Sequence, residues 1–546
     1  MKGTGITAAL LALALLASTA ACGRSVKQAE STAGNINPTA NLVATTPAGT
    51  KPVNSVTWAV YRDVNSLDPA FAFDYPENTA ISLMCESLLL QQPSGNIVPG
   101  LARVSTPNPL TFVFTINQKA TFWNGDPVTP ADVVYSLDRQ LSTSLGGFYT
   151  DVFNRVKSIA QTGPDQVTIS MNKPDYWLEG ELASMGGIII QKSFAQAQGK
   201  NYGTPAGSIM CTGPYTLKSW TPSGGVVAEV NPHYWNTSVH PLVKQIVLKG
   251  VPDITDFTAG MLTGAIGGSY YFGVSTLDQL ESSSSVKVYQ GPGWSTDAMI
   301  ISATSGPLAN VKVRQALSLA LNRQSIISQV YKGAAMMPKW LANPGSFGYG
   351  LRVFDTAYAK SPTDVQNLAK ARQLVKSSGD VGQTITIGTS NEISSTAIET
   401  GAYQQAAEAI GLKVVLHSVS ANDFINFFTD PSFRKGIDCF PTINYGDYAD
   451  PASLLYTLAY PNGDQNYDGY SNPQMTALLN QAEGTASPDA RAALIVKAEQ
   501  LAAQQLPWIP TVQPTNVLFL NSKLTGATAS FAYMFAPWAD SLGGKG

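Results

Sequence analysis

"ATFWNGDPVTPADVVYSLDR", residues 120–139, carries a helix start written in its side chains. Thr129 offers an N-cap oxygen, and Pro130 suits the first helical position because its missing N–H would lack a partner there anyway. Asp132, three residues after the cap, completes a capping box. Val133, Val134, Leu137 and Leu141 then recur on one face, so the stretch predicts an amphipathic helix.

The same device appears at Ser361-Pro362-Thr363-Asp364 and, without the acidic third residue, at Asn472-Pro473 and Ser487-Pro488. Each predicts a helix start. Between these starts, "LTFVFTI" (110–116) and "DQVTISM" (165–171) alternate as strands do, and "GGVVAEVN" (224–231) follows a turn. Residues 384–416 read as strand "TITIGT", helix "TAIETGAYQQAAEAIG" and strand "LKVVLHSV", a unit that implies a parallel sheet. No internal repeat is visible, and the fold class read from these signals is mixed α/β.

The chain has 546 residues, with Lys plus Arg 34 against Asp plus Glu 37 and no basic cluster, which argues against nucleic acid as a partner. Lys2 precedes an apolar run from Ile6 to Ala17 that ends in "STAACG", the pattern of a signal peptide over 1–21. Cys22 then fits a bacterial lipidation site, although Thr19 stands where Leu is usual; ordinary cleavage near Ala21 is the alternative. Residues 22–54 are Ser, Thr, Ala, Asn, Gly and Pro with little to bury, and read as a lipidated flexible tether. Nothing later is apolar for the ~18 residues that a membrane span needs. The remaining length is too great for one core, so two or three domains are expected. With Cys22 assigned to lipid, Cys85, Cys211 and Cys439 allow at most one internal disulfide.

A catalytic reading finds little support. There is no G-x-S-x-G, H-E-x-x-H, Walker A or paired C-x-x-C, and His233, His240 and His417 are scattered. The chain is therefore expected not to be an enzyme and to carry no cofactor or metal. "NYGDYADP" (444–451) stays open at this level: its two aspartates suit an acid/base pair, a metal arm or an ammonium clamp.

Six segments in order resemble one family. They are 66–89, with "LDP" at its start; 120–139; "CTGPYTLKSW" with "NPHYW" (211–235); "GPLANVKVRQALSLALNRQSII" (306–327); "NYGDYADP"; and 468–513, ending "PWIPTVQ". From about residue 55 to its end the chain is similar to the extracellular solute-binding proteins of family 5, which include oligopeptide- and dipeptide-binding proteins of ABC importers. The resemblance implies a two-lobed periplasmic-binding-protein-like fold (type II, cluster C). Lobe I would comprise 55–93, 205–294 and 513–546, an extra subdomain 94–204, and lobe II 295–512. It places Cys85 and Cys211 in one lobe as a disulfide pair and leaves Cys439 free.

Function would then be capture of an oligopeptide or related solute between the lobes, by a monomer, for delivery to a permease with its ATPases. By the same resemblance Asp447 pairs with the ligand α-ammonium, and Ile443, Asn444 and Tyr445 offer a main-chain edge. Phe73, Asp74 and Tyr75 form the facing wall, with Trp294 beside the first crossing. Asp450 is read as a helix start without a ligand role. The sequence departs from the family at Asn444, where Trp is usual, and at "GAIG" (264–267) for "GEID", with Tyr270 and Tyr271 following. These departures keep open a non-peptide solute such as an oligosaccharide, and a surface sensor or adhesin of the same fold.

Overall fold

The computed structural model describes residues 42–546, apart from Val152, residues 271–273 and Glu392. The signal peptide and the lipidation site at Cys22 lie outside the described residues, as does Tyr271. Among the described residues no helix is long and apolar enough to cross a membrane.

Two mixed sheets organise the chain. The first runs in the order Val286–Gly291, Asn516–Asn521, Gly268–Tyr270, Val56–Val60, Gln245–Gly250, Gly225–Val230, Tyr215–Thr221. The second runs Ala335–Met336, Trp508–Pro514, Thr296–Ile301, Cys439–Asn444, Thr384–Thr389, Lys413–Ser418. A four-stranded antiparallel sheet, built within 102–171, forms a smaller body. The chain passes from the first large sheet to the second between Gly291 and Thr296, and returns between Pro514 and Asn516. At these crossings the backbones touch: a Cβ at Gly293 would lie 2.3 Å from the Pro514 carbonyl oxygen.

Local chemistry explains most element starts. Thr129 and Asp132 form the reciprocal capping box, and the helix Pro130–Gln140 buries Val133 and Leu137 completely. Asn472 and Ser487 cap Pro473–Glu483 and Pro488–Gln505. Strands Thr384–Thr389 and Lys413–Ser418 pair in parallel across the helix Ser394–Ala409.

Two expectations are corrected. No helix starts at Ser361-Pro362: the Ser361 N–H instead closes the preceding helix Leu351–Lys360, and its hydroxyl accepts from the Trp340 indole. The next helix, Leu368–Ser378, is capped by Asn367, while Asp364 accepts from Ser318. The tether expected over 22–54 does not extend to residue 54. Thr46 donates its N–H to Ala527 at 3.0 Å, Thr50 to Gly544 at 3.0 Å and Val53 to Leu242 at 2.8 Å. Main-chain pairing of this kind needs no apolar side chain, so composition gives no sign of it.

Cys85 and Cys211 are joined by a disulfide with Cα atoms 4.9 Å apart, and Cys439 is a buried free thiol.

Candidate functional site

The "NYGDYADP" stretch leaves the second sheet at its edge with the first lobe. Ile443 and Asn444 end the strand Cys439–Asn444, paired on one side with Asp297 and Thr296. On the other side, pairing with Thr384–Thr389 is confined to Ile387 and Cys439, so the ladder does not continue along 440–444. Asp450 caps the helix Pro451–Ala459, its carboxylate accepting from the Ala452 N–H at 2.8 Å. Asp447 lies between these two elements, in a short loop held by its own N–H to the Ser453 hydroxyl at 2.9 Å.

Phe73, Asp74 and Tyr75 face this stretch from the other lobe. Asp74 caps the helix Tyr75–Met84 and accepts from Tyr61 at 2.6 Å. It also pairs with Arg62, whose guanidinium reaches Glu77 at 2.7 Å. An acid so committed positions the wall rather than offering a free charge. Tyr445 donates its hydroxyl to the Phe73 carbonyl at 2.8 Å, and Tyr75 donates to the Ile443 carbonyl at 3.4 Å. Trp294, also named from sequence, is buried against Phe531 and Phe535 and borders neither cavity of the cleft. Tyr270 is stacked in the core on Tyr533, their ring centres 3.6 Å apart.

The cleft holds two adjoining cavities. One, of about 70 Å³, lies between Phe73–Tyr75 and Pro441–Tyr445. The other, of about 250 Å³, is bordered by Phe73, Tyr149, Asp447, Asp464 and Tyr467. Both share Phe73, Phe428, Asn444, Tyr445 and Gln465. The Tyr445–Phe73 and Tyr75–Ile443 bonds hold the lobes close together here, and each cavity taken singly is below the ~300–1,000 Å³ of ordinary ligand pockets, so a ligand of several residues needs the lobes to part. A larger cavity of about 690 Å³, between Lys339–Leu341 and the helix Leu351–Lys360, lies wholly in the second lobe. A ligand there would bridge nothing.

The Asp447 carboxylate makes no hydrogen bond or ion pair to the described residues and is pushed up to about 7, first by burial and then by the nearby Asp464. Burial raises an acid because the charged form loses its water. An ammonium would restore what burial removed. Asn444 donates its side-chain amide to Gln465, so both amides are presented together at the junction of the two cavities. Sequence reasoning did not single out Gln465, Asp464 or Tyr149. They arrive from distant loops, and no local spacing marks them.

Among the described residues no group of three or more His, Cys, Asp or Glu is arranged to hold a metal ion.

The family described as bacterial extracellular solute-binding proteins, family 5 Middle, matches residues 96–466. The chain is 26% identical over 489 residues to the periplasmic murein peptide-binding protein of Escherichia coli (strain K12), covering 84% of this chain and 88% of that protein. It is 25% identical over 496 residues to the oligopeptide-binding protein of Bacillus subtilis (strain 168), with the same coverage, 84% and 88%. In structure it resembles an ABC transporter-associated periplasmic binding protein from Helicobacter pylori, solved in complex with the peptide STSA. That likeness has a TM-score of 0.80 and 20% identity, and covers 91% of this chain and 99% of that one.

Proposed function

Because the chain belongs to the bacterial extracellular solute-binding proteins of family 5, we propose that it captures an oligopeptide between its two lobes and delivers it to an ABC permease. Proteins of this family bind substrates for transporters and are not enzymes. The observation that carries the peptide reading is Asp447, a carboxylate without a partner, beside a main-chain edge at Ile443–Tyr445 and opposite Phe73 of the other lobe.

An α-ammonium bound to Asp447 restores the charge balance that burial upset, and a charge-assisted bond of this kind is among the stronger ones. The peptide main chain would pair with the open edge, as an added strand does. Phe73 and Tyr75 close over it from lobe I, so every such contact favours the closed form over the open one. Cys22 would carry the lipid that keeps the protein at the membrane surface as a monomer, and Cys22→Ser should release it to the soluble fraction.

Thermal unfolding of a form lacking residues 1–22, against peptide pools and their N-acetylated copies, tests this reading. Ligand at a hundred times its dissociation constant stabilises by about 2.7 kcal/mol. Stabilisation by free peptides alone supports it. Equal stabilisation by acetylated copies removes Asp447 from the ammonium role, and stabilisation only by oligosaccharides overturns the peptide class.

A further inference from the structure

The cavity that holds Asp447 holds a second carboxylate. Asp464 borders the same 250 Å³ space, and among the described residues no Lys, Arg or His does. It comes from the loop between Pro451–Ala459 and Pro473–Glu483 and stands at the solvent-facing rim, whereas Asp447 lies deeper. Asp464 shares a hydrogen bond, and so one proton, with Asp151 of the small body, a proton that an incoming cation would displace; partial loss of water lifts its carboxyl to about 6. Glu181, which does not border this cavity, is buried, feels the charge of Asp447, and has an Oε2 without a hydrogen-bond partner. The guanidinium of Arg434 lies 4.2 Å from the centre of the Tyr467 ring and donates to the Phe427 carbonyl, so it is spoken for outside the cavity. The cavity around Asp464 is thus walled by acids, aromatic rings and the neutral polar side chains of Thr429, Asn444, Thr457 and Gln465.

We propose that Asp464 is a specificity-determining residue. With the α-ammonium of a peptide on Asp447, the Asp464 carboxylate receives the cationic side chain of that peptide's first residue, so the protein prefers ligands that begin with lysine or arginine. This rests on the peptide reading above. The geometry suits it: the two carboxylates share one cavity at different depths, and a lysine or arginine stem lies on aromatic walls while its charged end reaches the rim. One monocation leaves a carboxylate beside it unmatched; a dication does not.

Titration calorimetry with Lys-Ala-Ala and norleucine-Ala-Ala tests it, because the two peptides have stems of equal length and differ in the terminal ammonium. Lys-Ala-Ala should bind roughly three- to tenfold more tightly, the range of a partly solvated ion pair. In Asp464→Asn that ratio should fall to about unity. In the unaltered protein it should also shrink as salt is raised, since a rim pair is screened, which gives a reading that needs no variant. Equal affinity for the two peptides, or a lysine preference that survives Asp464→Asn, overturns the inference and leaves the peptide reading standing. Binding of neither peptide overturns both.

Discussion

The Tyr445 hydroxyl donates to the main-chain carbonyl of Phe73 at 2.8 Å, tying the second lobe to the first through the stretch that faces the ligand space. Asn78 adds a bond to the same hydroxyl at 3.3 Å. These bonds belong to the closed arrangement, so removing them should favour the open one. Tyr445→Phe loses both and is expected to shift the free protein toward opening by about 1–3 kcal/mol, the worth of two such bonds. Small-angle scattering without ligand should show a larger radius of gyration; an unchanged curve would mean that the lobes are held by other contacts.

Ligand affinity should depend on pH through Asp447. Its carboxyl is held up to about 7, by burial and then by Asp464. Below that value the proton must leave before an ammonium can bind. Affinity for a free peptide should therefore fall as pH drops through about 7, approaching tenfold per unit on the acid side. The empty protein should behave in the opposite sense. Its folded carboxyl holds a proton that the unfolded chain, with an ordinary aspartate, releases near pH 4, so stability declines as pH rises from about 4 to about 7. Asp447→Asn should flatten both profiles, as read by calorimetry and by melting at a series of pH values.

The parts of this molecule that sequence made legible are those fixed by local chemistry. Thr129 with Asp132, Asn472 and Ser487 each act on backbone within three residues, so spacing alone locates them. Ser361 carries the same signal and starts no helix, because the Trp340 indole and the closing turn of another helix use it instead. Asp464 and Tyr149 were invisible for a different reason: they meet Asp447 only after loops from two bodies are brought together, and Asp151 joins them only through Asp464. Trp294 had the right address beside a crossing, but its ring packs on Phe531 and Phe535, and a short sequence window cannot tell a core face from a cleft face.

Arg62 should be more costly to lose than a surface cation. It is nearly buried and spans Asp74 and Glu77, the acids at the start of the helix behind Phe73–Tyr75. Arg62→Met keeps the volume and abandons two carboxylates, one buried at Glu77 and one mostly buried at Asp74. Breaking such a pair costs about 3–5 kcal/mol. The variant should unfold at lower denaturant and bind ligand more weakly, because the wall opposite Asp447 loses its anchor. Unchanged stability would show that solvent reaches these acids.

The disulfide between Cys85 and Cys211 closes a sequence separation of 126 residues within the first lobe. A cross-link over so long a loop restricts the unfolded chain strongly. Replacing both cysteines by serine should cost about 2–5 kcal/mol in chemical denaturation. Reductant should have no effect on that variant, while it lowers the midpoint of the natural protein.

Asn343 ties the two crossings together. Its fully buried side-chain amide donates to the Ser295 carbonyl at 2.8 Å on the outgoing crossing and to the Pro514 carbonyl at 2.9 Å on the return. Opening must bend the chain at these same two places, so the amide restrains the hinge itself. Asn343→Leu fills the space and leaves two buried carbonyls without donors, at about 1–3 kcal/mol each. The loss should be smaller if opening lets water reach those carbonyls, and then the open form gains relative to the closed. Ligand affinity would fall, and single-molecule distance measurements across the cleft should show a larger open population. If stability drops while the open fraction stays constant, Asn343 braces the second lobe alone and the hinge is controlled elsewhere.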